Sequence, residues 1–269
     1  MSIKKHIPNA ITCCNLLCGC LAIVQAFQGH LVYAAYLVGL AAIFDFFDGF
    51  AARMLRVTSP IGKDLDSLAD MVTFGVVPGV VMYQLLNNSL FSFLAQEHAP
   101  ISGDNDLSNL ITLFQRAGET NDGVLGWIVY VAFLIPVFSA IRLAKFNNDN
   151  RQTSSFIGLP TPANAILICS FPLILAFARS SQFQQIIFNP FFLVIMSVVM
   201  SILLVAEIPL FALKFRTFSW VGNRTRYIFL ILCVILLILF QFVGIPIIIL
   251  LYVIMSINSN YFAKRRERG

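Results

Sequence analysis

The sequence predicts an all-α fold, a polytopic membrane helical bundle of about eight transmembrane helices with both termini cytoplasmic. Three observations carry that prediction. The 269 residues are 58% hydrophobic and only 12% charged, where soluble domains run near roughly 45–50% and about 25%. Mean hydropathy is +0.83. Apolar stretches of about 20 residues, the length that crosses roughly 30 Å of hydrocarbon, recur along the chain. Lipid offers the backbone no hydrogen-bond partners, so such stretches span as helices.

The expected spans are 9–28, 31–53, 66–86, 123–146, 162–179, 189–211, 225–243 and 245–262. The basic residues fall between them in alternation. Lys4 and Lys5 precede the first, and Arg53, Arg56 and Lys63 follow the second. Arg142, Lys145 and Arg151 follow the fourth, Lys214, Arg216, Arg224 and Arg226 follow the sixth, and Lys264, Arg265, Arg266 and Arg268 end the chain. Only Arg116 and Arg179 of the 18 Lys and Arg lie on the other side. Positive residues stay inside, which sets both termini and the even-numbered connections in the cytoplasm of a multi-pass cell-membrane protein. Read by position, the +5 net charge flanks a membrane, and no nucleic-acid partner is expected. No cleavable signal peptide is evident, because the first apolar stretch reaches full span length.

The chain reads as one domain over 1–269, with a catalytic core at about 1–215, an accessory helical hairpin at 225–262 and an outer polar loop at 87–122. Within that loop, 107–114 has the pattern of a short interfacial helix. The six cysteines all lie in apolar segments; they read as small buried thiols rather than a disulfide framework or metal cluster. Glu207, near the end of the sixth span, either faces a polar cavity or pairs with Lys214 or Arg216.

The informative feature is acidic. The run Asp45-x-x-Asp48-Gly49-x-x-Ala52-Arg53, eight residues, then Gly62-x-x-x-Asp66-x-x-x-Asp70 sets four carboxylates in 26 residues of membrane-length sequence. Each costs roughly 2.5–3.5 kcal/mol at a helix centre on insertion scales, so the set calls for a compensating cation. Asp45 and Asp48 share a helix face at i and i+3, and Gly49 and Ala52 open a groove on it. Asp66 and Asp70 share a face at i and i+4. The connection 54–64, with Pro60 and Gly62, turns the chain so that the two pairs meet at one depth. Asp64 falls off that face and is expected in solvent. Helix-end charges paired with Arg53, Arg56 or Lys63 would explain any one aspartate, but not the spaced set.

All-oxygen ligation suits Mg²⁺ or Mn²⁺. Four converging carboxylates can hold two such ions, the arrangement that clamps attacking and leaving oxygens in phosphoryl chemistry. His6, His30 and His98 show no ligand spacing.

This pattern, without departure, resembles the signature of the CDP-alcohol phosphatidyltransferases. That resemblance implies an integral-membrane enzyme, commonly a homodimer, that moves a phosphatidyl group from CDP-diacylglycerol to an alcohol and releases CMP. Flanking stretches are similar to its CDP-diacylglycerol–serine (phosphatidylserine synthase) branch: Ile7-Pro8-Asn9-Ala10-Ile11-Thr12 with Asn15, then Gly62 to Asp70 running into Phe74-Gly75-Val76-Val77-Pro78. Arg142-Leu143-Ala144-Lys145-Phe146-Asn147 and Phe156-Ile157-Gly158-Leu159-Pro160-Thr161-Pro162 match it as well.

By that resemblance Asp45, Asp48, Asp66 and Asp70 bind the ions, and Asp70 is the general base on the serine hydroxyl. Gly49, Ala52 and Gly62 admit the nucleotide of CDP-diacylglycerol, Arg53 and Lys63 contact its phosphates, and Asn9, Thr12 and Asn15 line its polar edge. Arg142, Lys145 and Asn147 are candidates for serine. The two cations also serve as positive-inside anchors, and a glycerol 3-phosphate acceptor would want them equally; inositol is a further alternative. A prenyltransferase would show other aspartate spacing and no G-x-x-A-R link. A cation transporter would carry charges at mid-membrane or on both sides, with paired broken helices.

Overall fold

A computed structural model describes residues 6–57, 59–97, 124–148, 155–211 and 220–266. Helix α1 (His6–Phe27) and α2 (Leu31–Leu55) form an antiparallel pair. Small side chains make their seam: Ala22, Ala26, Ala34, Ala35 and Ala41 are all buried, which lets the two backbones approach as membrane helices prefer. Arg56 ends α2 in the left-handed conformation at φ 52°, and the N–H of Val57 returns to the carbonyl of Ala52 at 3.1 Å, a Schellman-type stop.

The chain then restarts at once. Ser59 caps α3 (Pro60–Asp70) by accepting from the Gly62 N–H at 3.0 Å, with Pro60 at the first helical position, a pairing that favours helix entry. The third helix thus begins at Pro60 rather than 66, and Gly62 sits in its first turn instead of in a loop. α3 runs through a π-helical turn (Met71–Val76) into α4 (Val77–Glu97) without a break. No proline or glycine interrupts the apolar run beyond Leu86, so the helix continues to Glu97, into the stretch expected as outer loop. The remainder of that loop, including 107–114, lies outside the described residues.

A short turn (Val124–Trp127) and a 3-10 segment (Ile128–Phe133) lead into α5 (Leu134–Asn148). Next come β1 (Ser155–Ile157), α6 (Thr161–Phe177), α7 (Ser181–Ile187), α8 (Pro190–Val205) and β2 (Pro209–Phe211). The three-residue strands pair antiparallel, with Phe156 opposite Leu210. This ribbon was not foreseen from the sequence. It is set by Gly158, at φ +78°, whose missing Cβ would fall 2.5 Å from the carbonyl oxygen of Leu204.

The chain closes with α9 (Trp220–Phe240), a 3-10 turn (Gln241–Val243) and α10 (Gly244–Arg266). The rings of Phe229 and Tyr252 stand 5.6 Å apart, so α10 folds back along α9 as a hairpin. Gly244 makes the turn possible, since a Cβ there would meet the Leu236 carbonyl oxygen at 2.7 Å.

Helices occupy all eight apolar stretches. Among the described residues, five helical stretches are long and apolar enough to cross a membrane, or six counting α7 with α8, which bend by 65° at their break. The protein is a helical membrane bundle. Phe74, Met82, Leu85, Ile135, Ile168 and Leu193 fill its core between α4, α5, α6 and α8. Glycines let the long third helix approach its neighbours: Gly19 lies against Thr73, Gly75 against Ser139 and Gly79 against Pro136.

Candidate active site

The stop of α2 at Leu55 and the immediate restart of α3 at Pro60 bring the two acidic rows together. One carboxylate oxygen each from Asp45, Asp48 and Asp66 lies within 4.8 Å of the others. Asp48 is buried, and Asp45 and Asp66 are half-buried. Asp70 stands beside Asp45, within reach of its carboxylate. Its Oδ1 is buried and has no hydrogen-bond partner. Three hard anionic oxygens converging at this range repel one another unless a cation intervenes. The donor set, all carboxylate, fits a hard divalent ion. Asp64 is exposed, as its place off the periodic face predicted.

Helix α1 supplies the wall. Thr12, buried, places its hydroxyl 2.6 Å from Asp48 Oδ2 and donates to it. A cavity of about 580 Å³ opens beside this contact, lined by Asn9, Thr12, Asp48, Gly49, Ala52, Gly62, Lys63 and Asp66 among others. A Cβ on Gly49 would meet nothing within 4 Å, whereas one on Gly62 would come 2.9 Å from the Asn9 side-chain oxygen. Gly49 therefore leaves open volume in front of the carboxylates, and Gly62 lets Asn9 close in on the cap of α3.

Of the residues expected at the nucleotide, two fall elsewhere. Arg53 is exposed and is not part of the cavity wall. Asn15 follows Thr12 on the inner face of α1 but one turn deeper, where its backbone carbonyl accepts from the Thr73 hydroxyl at 3.3 Å.

The three acceptor candidates separate. Arg142 is buried, donates from Nε to the carbonyl of Leu159 at 3.1 Å, and interacts electrostatically with Asp70. Phe146 packs its ring 5.0 Å from the guanidinium. Lys145 and Asn147 are exposed. Asn147 Nδ2 donates to Ser67 Oγ at 2.9 Å, and its backbone carbonyl lies 3.5 Å from Lys63 Nζ, which ties the end of α5 to α3. Glu207 is exposed, and its candidate partners Lys214 and Arg216 lie outside the described residues. Sequence reasoning missed Ser59 and Ser67, whose signals are the cap before Pro60 and the i+4 spacing from Lys63.

An acid-lined cavity at one end of a helical membrane bundle is the frame of an enzyme acting where lipid meets water. The chain belongs to the CDP-alcohol phosphatidyltransferase family, whose model matches residues 5–258. It is similar to the CDP-diacylglycerol–serine O-phosphatidyltransferase of Bacillus subtilis, 32% identical over 178 residues, 64% of this chain and 81% of that protein. The Helicobacter pylori (strain J99) enzyme of the same name is 32% identical over 163 residues, 60% of this chain and 54% of that protein. The Methanocaldococcus jannaschii one is 31% identical over 172 residues, 63% of each. The match thus takes in little more than half of the Helicobacter protein.

Proposed function

We propose that this protein transfers the phosphatidyl group of CDP-diacylglycerol to the hydroxyl of L-serine, forming phosphatidylserine and CMP at the cytoplasmic face of the cell membrane. The observation that carries the reading is the convergence of the Asp45, Asp48 and Asp66 carboxylates, two of which, Asp48 and Asp66, line the cavity, in a family whose similar members bear that enzyme name. A homodimer is the expected assembly.

Asp45, Asp48 and Asp66, with Asp70 at their edge, are the residues to hold two Mg²⁺ or Mn²⁺ ions. What the bound ions supply is charge neutralisation of the diphosphate and polarisation of its lipid-side phosphorus. The cavity takes the nucleotide end: Gly49 leaves room for it, Asn9 offers a polar edge and Lys63 a charge for phosphate oxygens. Asp70 removes the proton from the serine hydroxyl. The freed oxygen bonds to the lipid-bearing phosphorus as the bond to the CMP oxygen breaks, and CMP leaves with that electron pair. Arg142, held by Leu159 beside Asp70, faces the acceptor's carboxylate. Acyl chains stay in lipid while the soluble acceptor enters from the surface.

The test is acceptor-dependent CMP release. Purified protein in mixed micelles receives CDP-diacylglycerol, Mg²⁺ or Mn²⁺, and then serine, glycerol 3-phosphate or inositol in turn. Release with serine alone supports the proposal. Release only with another alcohol replaces the acceptor, and none with any alcohol removes the transferase reading.

A further inference from the structure

Among the described residues, Arg179 is the one Lys or Arg at the end of the bundle opposite the aspartates. Helix α6 leaves the acid end at Thr161, two residues past the Leu159 carbonyl that Arg142 holds. Its 17 residues rise about 25 Å, and Arg179 follows their last turn. A cavity of about 190 Å³ opens there, between the α6–α7 junction and the 3-10 turn that joins α9 to α10. Its polar side chains are those of Arg179, Ser180 and Gln241.

The fold itself makes no use of these three side chains. None of them hydrogen-bonds or pairs with another described residue, and Ser180 precedes α7 without capping it. A basic residue past a helix end often caps its last carbonyls, but that role is taken. Gln184 Nε2 donates to the carbonyls of Leu175 and Ala178 at 3.1 and 3.3 Å. On the facing wall Gln241 holds φ at +51°, uncommon for a residue other than glycine and a form of strain that gathers at ligand clamps. The remaining walls are apolar. Ile238 and Leu239, which line the cavity, are 73% and 68% exposed, so the lining continues out onto the lipid-facing side of α9.

We propose that this cavity holds the phosphate of an anionic phospholipid in the leaflet opposite the active site, and that the lipid staples the α9–α10 hairpin to α6. A guanidinium presents a planar fork of donors that matches two phosphate oxygens. Ser180 and Gln241 supply neutral donors for the others, one from each wall. An acyl chain leaves along Ile238 and Leu239, a path that free phosphate has no use for. No carboxylate lines the cavity among the described residues, so an ammonium head group finds no counter-ion, and phosphatidylglycerol fits better than phosphatidylcholine. The site does not depend on which alcohol the enzyme accepts.

Hydrogen–deuterium exchange of the full chain in lipid nanodiscs tests this at the site itself. Discs of phosphatidylcholine alone are compared with an equimolar mixture of phosphatidylcholine and phosphatidylglycerol. In wild type, phosphatidylglycerol is expected to slow exchange of peptides covering 178–183 and 240–244 by about 10-fold, the scale of one hydrogen bond to a charged group. Arg179→Gln should abolish that protection. Equal protection in phosphatidylcholine alone, or protection that survives in Arg179→Gln, overturns the proposal. So does the same protection from inorganic phosphate added to phosphatidylcholine discs, which would make the site one for a soluble anion. If Arg179→Gln does not fold, Gln241→Ala on the facing wall decides by the same comparison, with reduced protection expected and unchanged protection contradicting.

Discussion

Thr12 on the first helix donates to Asp48 on the second over 2.6 Å, so the wall of the cavity and one of its anionic ligands are fixed together. A side chain that orients a ligand acts on the ion through it, and removing such an outer contact typically costs about 10–100-fold in metal affinity or activity. Thr12→Val keeps the shape and deletes the donor. The Mn²⁺ concentration for half-maximal CMP release is expected to rise about 10-fold, with KM for serine unchanged. An unaltered Mn²⁺ dependence would separate Thr12 from the site.

Asp70 stands at the edge of the three-carboxylate cluster, within reach of Asp45, and interacts electrostatically with Arg142. Asp70→Asn keeps the shape and removes the base. It is expected to retain CDP-diacylglycerol binding in a filter or fluorescence assay while turnover falls by about 10²–10⁴-fold, the usual worth of a general base. Full turnover in this variant would remove Asp70 from that role.

Gly49 faces open cavity. Gly49→Leu projects a side chain into that volume and is expected to raise KM for CDP-diacylglycerol at least about 10-fold, the scale of a pocket lost to steric exclusion. Gly39, on the same helix, is exposed and equally free of neighbours within 4 Å. Gly39→Leu should leave KM where it was. Equal effects from both would mean that helix propensity, not the cavity, is being measured.

Gly158 holds φ at +78° with Leu204 Oxygen-distance to a notional Cβ of 2.5 Å. Gly158→Ala forces the ribbon away from α8 and with it Leu159, the acceptor of Arg142. Substitution at a left-handed position costs more than about 0.4–1 kcal/mol, so Tm in detergent should fall. A Tm equal to wild type would show that the loop is not under this constraint.

How much of this was legible in the chain follows from what kind of signal each feature leaves. The acid rows of α2 and α3 repeat at three and four residues, so their shared faces follow from helical period, and the turn residues between them supply the meeting of Asp45, Asp48 and Asp66. Asn9 and Thr12 entered through the family resemblance of the stretch 7–12, and both line the cavity. The start of the third helix was misplaced because Pro60 and Gly62 look like turn residues, although Ser59 before Pro60 is an entry signal. Asn147 was read from charge and position as an acceptor contact; its bond to Ser67 depends on how α5 meets α3, which period does not encode. Asn164 and Ser139 gave no signal beyond that of small polar residues in largely apolar helices, the ordinary form of membrane-helix glue. Only tertiary packing shows that, among the described residues, nothing satisfies them.

The central claim is that aspartates from two adjoining helices jointly cage hard divalent ions. Counting bound Mn²⁺ by electron paramagnetic resonance, in wild type and in the combined Asp45→Asn, Asp48→Asn, Asp66→Asn variant, tests it without reference to turnover. The account predicts two tightly bound ions per wild-type chain in the presence of CDP-diacylglycerol, as a four-carboxylate site can hold, and none in the variant. Equal Mn²⁺ binding by the two proteins would contradict it.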